Sequence, residues 1–218
     1  LFKSKSLVSI MTKMNDAKYR YGFTGTLDGS QTHKWVLEGL FGPSYKVTQT
    51  KELIDKGHLS KLQIRVLILK HHDQKFDTYE DEIQYIISHP KRNRFIRNLA
   101  VDLRGNTLVL FSRVATHGQI LFDSINSFVK DGRKVFYVHG GVEAQEREEV
   151  RTITESESNA IIVASYGTFS TGINIKNLHN VIFASPSKSR IRNLQSIGRV
   201  LRKGDKKSKA VLYDLSLI

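Results

Sequence analysis

Residues 106–141, NTLVLFSRVATHGQILFDSINSFVKDGRKVFYVHGG, decide the fold. They open on a short apolar run, Thr107 to Phe111, continue through a stretch of helical period, Ala115 to Lys130, and close on a second run, Lys134 to Val138. Apolar character without alternation suits a strand covered on both faces, and a helix-length connection between two such strands makes them parallel. The rhythm then repeats. Further runs stand at Ala160 to Ala164, Asn180 to Ala184 and Ala210 to Leu215, with helical segments at Glu143 to Glu155 and Ser189 to Lys203. Ser189 is placed to cap the last helix and Gly204 to stop it.

Working outward, Glu80 to Arg104 predicts a long helix feeding the first of these strands, interrupted or kinked where Pro90 lacks an amide donor. Together the elements make one α/β domain over residues 59–218, a doubly wound and mostly parallel sheet. Residues 1–58 do not share the rhythm. Gly22, Gly25, Gly29, Gly42 and Pro43 punctuate them around one short strand-like piece, which predicts the tail of another domain and a linker.

A chain of 218 residues buries one substantial core and part of a second. Its 34 Lys and Arg against 21 Asp and Glu give a formal charge of +13, a field that attracts a polyanion, and nucleic acid is the expected partner. A surface that is basic only for solubility is the competing explanation. No apolar stretch is long enough to cross a bilayer, and no basic amphipathic helix carries aromatic anchors, so no membrane partner is expected. The absence of cysteine excludes disulfides and zinc ribbons and fits a cytoplasmic location. The run Arg202, Lys203, Lys206, Lys207 and Lys209 is read as a solvated charged turn.

Chemistry concentrates on the last helix. Gln195, Arg199 and Arg202 are spaced four and three apart, which places two fixed cations and an amide on one helical face. Guanidinium groups match phosphate oxygens with paired donors, so such a face suits a nucleoside triphosphate or a backbone phosphate. Spacing alone is equally compatible with an ordinary basic face in water. Ser112 and Arg113 leave the first strand of the rhythm at the edge where open α/β sheets bind ligands, and His139 leaves the next one similarly.

The segment QSIGRVLR, Gln195 to Arg202, resembles motif VI of the superfamily 2 helicases. Ala164-Ser165, leading through Gly167 to Thr171-Gly172-Ile173-Asn174-Ile175, resembles motif V, and Leu108 to Gly118 resembles motif IV. Gly22-Phe23-Thr24-Gly25-Thr26 resembles motif III, with Gly25 where Ala is usual. The matches run in the family's order from Gly22 to Arg202.

The resemblance implies a RecA-like second motor domain, preceded by the tail of the first. It implies Arg199 and Arg202 as catalytic arginines on the γ-phosphate of ATP with Gln195 beside them, and Gly172 and Asn174 towards the nucleotide. Asn174 stands where Asp is commoner, which keeps hydrogen bonding and drops a charge. Ser112, Arg113, His139, Ser165 and Thr171 would hold nucleic acid, and Thr24 and Thr26 would couple the two domains.

No Gly-x-x-x-x-Gly-Lys-Ser/Thr loop and no Asp-Glu-x-His box occur in the chain, so the residues that cradle ATP and Mg2+ are expected on a missing N-terminal motor domain. This chain alone is expected to hydrolyse ATP negligibly. The resemblance further implies branched or forked DNA and RNA–DNA hybrid as substrates, in recombination, repair and replication. Two other readings stay open: a non-catalytic nucleic-acid-binding module, and a translocase on duplex DNA in a restriction or remodelling system.

Overall fold

The computed structural model describes residues 5–25, 31–70, 74–130, 132–172, 175–204 and 207–217. Its contacts divide the chain into two compact units, Leu1–Glu52 and Leu53–Ile218. The described part of the first unit holds α1 (Lys5–Lys13) and α2 (Gln31–Phe41), while α3 (Thr50–Asp55) runs across the boundary. The strand-like piece expected here does not form among the described residues; the regular structure is helical.

The second unit begins with a strand that the rhythm did not include, β1 (Lys61–Leu69). Two helices follow, α4 (Tyr79–Ser88) and α5 (Pro90–Asp102), where one interrupted helix was expected. His89 divides them: it ends α4, and its ring accepts the amide of Arg92 to cap α5, with Pro90 at the first helical position. Then come β2 (Thr107–Phe111), a single π-helical turn (Val114–Gly118), α6 (Gln119–Phe128), β3 (Val135–Val138), α7 (Ala144–Ser156) and β4 (Ile161–Ser165). A short helix absent from the expected order, α8 (Tyr166–Gly172), precedes β5 (Asn180–Phe183), α9 (Arg190–Val200) and β6 (Lys209–Leu217).

Among the described residues, six strands form one sheet in the order β1-β6-β5-β2-β4-β3, and each pairing between them is parallel. The expected mostly parallel sheet is thus parallel throughout. All residues of β2, β4 and β5 are buried, as strands covered on both faces require. Alternate side chains serve two cores. Leu108, Leu110, Ile162, Ala164, Val181 and Phe183 pack with α7, α8 and α9 through Val150, Tyr166, Phe169 and Val200. Val109, Phe111, Ile161, Val163, Ile182 and Ala184 face the other way, against Ile96 and Ala100 of α5 and Leu121 and Ile125 of α6.

The π turn passes close over the core. A Cβ on Gly118 would lie 2.4 Å from the ring of the buried Phe111, so this backbone can pass only without a side chain. The Gly118 amide reaches back to the Arg113 carbonyl at 2.8 Å, which widens the turn before α6 starts.

At the N-terminal edge of the sheet, the fully buried Asn106 ties three segments together. Its amide donates to the carbonyls of Thr154 at 3.0 Å and Glu157 at 2.8 Å, and its side-chain oxygen accepts from the Ala160 amide at 2.7 Å. Its own carbonyl accepts the amides of His179 and Asn180. Removing the side chain strands several buried groups at once, each at a cost of about 1–3 kcal/mol. We expect Asn106→Ala to lower the stability of the domain by about 2–4 kcal/mol in urea denaturation; an unchanged midpoint would contradict this bracing role.

Candidate functional site

The chain reverses its direction of sheet-building between β2 and β5. From β2 it moves outward through α6 to β3, whereas from β5 it moves the other way through α9 to β6, yet β2 and β5 are neighbours. Connections that leave two adjacent strands in opposite directions open a crevice at their carbonyl ends, where ligands bind in open α/β sheets. Ser112 and Arg113 follow β2 there, and Ser185 to Ser189 follow β5.

A cleft of about 180 Å³ occupies this point, lined by Ser112, Arg113, Ser187, Lys188, Ser189 and Arg192, with Tyr79, Glu80 and Ile83 of α4 among the residues along its wall. Ser189 caps α9 as expected, its hydroxyl accepting the Arg192 amide at 3.3 Å. The cations are held at the surface: Arg113 pairs with Glu80, and the Lys188 ammonium lies 3.4 Å from the centre of the Tyr79 ring. A larger depression along α7 is bordered by Glu148 and Glu149, the wrong charge for a polyanion.

Beneath the cleft lies a buried polar chain that sequence reasoning missed. The Ser185 hydroxyl accepts the Ser112 amide at 3.0 Å and lies 2.9 Å from His117 Nδ1, while His117 Nε2 lies 3.2 Å from the Asn93 side-chain oxygen. Tyr166 donates its hydroxyl to the Ser185 carbonyl at 3.1 Å, and the buried Arg92 donates to the neighbouring Ala184 carbonyl at 2.6 Å. Ser185 therefore joins the exit of β2, the start of α8 and the approach to α9. Burial, and next the charge of Arg92, push the His117 pKa down to about 3, so the ring is neutral near pH 7.

The remaining predicted residues divide into three groups. Ser165 ends β4 but turns inward, donating to the Thr168 hydroxyl at 2.8 Å and accepting the Thr168 amide at 3.3 Å, so it starts α8 instead of facing solvent. His139 follows β3, half-buried, with Nδ1 accepting the Gly141 amide at 3.1 Å and its ring centre 4.9 Å from that of Tyr137. Thr171 and Gly172 end α8. Asn174 and Thr26 lie outside the described residues, and Thr24 is exposed in the first unit.

On α9, Gln195 is exposed and Arg199 half-buried. Arg202 is not on the helix, which ends at Val200, four residues before the expected stop at Gly204. It sits just beyond, in an antiparallel bridge with Leu59, while the Ser60 amide takes the Leu201 carbonyl at 2.8 Å. The three side chains are thus not one helical face, although Arg199 and Arg202 remain neighbours. Burial first, and the Arg202 charge second, hold the Arg199 guanidinium below its usual range.

The helicase conserved C-terminal domain family matches residues 90–204, which spans both strand exits and α9. The chain belongs to this family and corresponds to the C-terminal half of a superfamily 2 helicase, with a RecA-like α/β fold. It is 38% identical to the ATP-dependent DNA helicase UvsW of Enterobacteria phage T4 over 223 residues, which covers 99% of this chain and 44% of that protein. The chain therefore spans less than half the length of this curated relative.

The crystal structure of T4 UvsW superposes with a TM-score of 0.61 at 40% identity, over 83% of this chain and 35% of that one. A fragment of a putative HsdR restriction subunit from Vibrio vulnificus YJ016 superposes with a TM-score of 0.65 at 16% identity, over 87% and 38%, a likeness of fold alone.

The buried His117 makes a pH signature. Its pKa is 6.5 when exposed and about 3 in the fold, so between these values the unfolded chain binds more protons and stability falls as the solution is acidified. We expect a lower urea midpoint at about pH 5 than at about pH 7, with the difference reduced in His117→Gln. An equal difference in both proteins would contradict a buried neutral imidazole.

Proposed function

We propose that this chain is the second motor domain of an ATP-dependent helicase that remodels branched or forked DNA and RNA–DNA hybrids in recombination, repair and replication. Its first 58 residues are then the end of the first motor domain and the linker. The observation that carries the reading is the pairing of Arg199 with Arg202 at the end of α9, on a domain whose nucleic-acid candidates sit at the strand exits. Identity of 38% to a DNA helicase along nearly the whole chain supports the same choice.

In this reading Arg199 and Arg202 approach the γ-phosphate of an ATP whose Mg2+ and phosphate cradle belong to the other motor domain. Gln195, Gly172 and Asn174 flank the nucleotide. Two guanidinium groups beside a transferring phosphoryl group stabilise the charge that builds on its oxygens, which is worth roughly a thousandfold or more in rate. Ser112, Arg113, His139 and Thr171 grip the nucleic-acid backbone along the sheet edge, and the net charge of +13 draws the polyanion in. Ser165 contributes by fixing the start of α8, so its hydroxyl acts on the backbone path and not on a phosphate.

No helix among the described residues is long and apolar enough to cross a membrane. The motor we propose works on DNA in the cytoplasm, that of the host if the source is a phage.

Two arms test the proposal in the intact two-domain protein. Strand displacement from forked DNA should require ATP, and Arg199→Ala should lower nucleic-acid-stimulated ATPase by about a thousandfold with an unchanged melting temperature. Turnover at the unsubstituted rate in a folded Arg199→Ala protein would overturn the assignment.

A further inference from the structure

Lys207 belongs to a basic run that the sequence reads as a solvated turn, yet it is buried, with 3% of its surface exposed. Its ammonium donates to three main-chain carbonyls, that of Val200, that of Arg202 at 3.0 Å and that of Lys176 at 3.3 Å. An ammonium has three N–H donors, and all three are used.

The acceptors matter as much as the count. Val200 ends α9, and the carbonyl end of a helix carries partial negative charge that its own backbone leaves unpaired. Helices commonly close on a left-handed glycine, but here Leu201 keeps a right-handed conformation at φ −72° and the Lys207 side chain supplies the closing donor. Arg202 is the second arginine of the pair, so the ammonium grips the main chain of that residue itself. Lys176 follows α8, so the same group ties α9 to the segment that leaves β4.

The grip is reinforced from the opposite side. Ser60 donates to the Leu201 carbonyl, Leu59 bridges Arg202, and the Lys203 ammonium donates to the Gly57 carbonyl at 3.1 Å. Gly204 lies so close to the Lys176 carbonyl that a Cβ there would stand 3.4 Å from it. Burial lowers the Lys207 pKa to about 8, which leaves the ammonium charged near neutrality. A buried cation is costly unless its partners are arranged in advance, so these carbonyls and this lysine constrain one another.

We propose that Lys207 is a positioning residue for Arg202, fixing through the carbonyls of Val200, Arg202 and Lys176 the place from which the Arg202 side chain projects. The proposal rests on the reading of Arg199 and Arg202 as γ-phosphate ligands. Lys207 touches no nucleotide and acts through the main chain of Arg202.

The test is a double-mutant cycle in the intact two-domain protein, with Lys207→Met, Arg202→Ala and the pair, reading steady-state ATPase with saturating single-stranded DNA. Lys207→Met should lower kcat at least about tenfold while the DNA concentration for half-saturation stays within about twofold, and in the Arg202→Ala background it should change kcat by less than about twofold. If Lys207→Met melts below the assay temperature, Lys207→Gln takes its place under the same criteria.

A kcat within about twofold of the unsubstituted protein in a folded variant, or a loss that multiplies that of Arg202→Ala, would overturn the positioning role. Normal turnover in Arg202→Ala alone would overturn the reading of the arginine pair, and the positioning role with it. An impaired Arg202→Ala beside an active Lys207 variant would overturn the Lys207 proposal only.

Discussion

The parallel pairing of β2 with β5 governs the arrangement of everything else. Strands that all run one way deliver their carbonyl ends to a single edge, and two neighbours whose connections leave in opposite directions keep that edge open between them. Ser112 and Arg113 reach the edge from β2, Ser185 to Arg192 from β5, His139 from β3 and Ser165 from β4. None of these residues is close in sequence to all the others. The sheet makes them neighbours, and two apolar layers cover its faces.

Buried polar groups then set the finer geometry, and they do so at both ends of the strands. Asn106 pins the N-terminal edge by pairing its side chain with backbone atoms of α7, the loop after it and the approach to β4. Ser185 performs the matching task at the carbonyl edge, where its hydroxyl meets the Ser112 amide and the neutral His117. Lys207 is the charged counterpart, joining two carbonyls at the end of α9 to that of Lys176 after α8. Each spends its hydrogen-bonding capacity on main chain or on a neighbouring side chain, so each fixes position more than it creates binding surface.

The central strands and the arginine helix were legible because their signals are local. An apolar run without alternation is what a strand buried on both faces must look like, and β2 carries the expected boundaries residue for residue. β1 was harder. Its exposed Ile64, Val66 and Ile68 alternate with Gln63, Arg65 and Leu67, and only its partner β6, at the far end of the chain, makes it a strand of this sheet. Lys207 and the early end of α9 were illegible for a related reason: a lysine among lysines reads as solvated until three distant carbonyls are seen to converge on it. Ser165 was located at the right strand end, but the direction of its hydroxyl follows from α8, a helix too short to leave a period in the sequence.

On the reading proposed above, the domain would present one half of a nucleotide site, with Arg199 and Arg202 set by the end of α9 and the other half supplied by the first motor domain. A crystal structure of the intact protein with DNA, ADP, Mg2+ and a fluoride mimic of the transferring phosphoryl group measures this most directly. The account predicts guanidinium nitrogens of both Arg199 and Arg202 at about 3 Å from the mimic. Both side chains turned away from an occupied nucleotide site would contradict it.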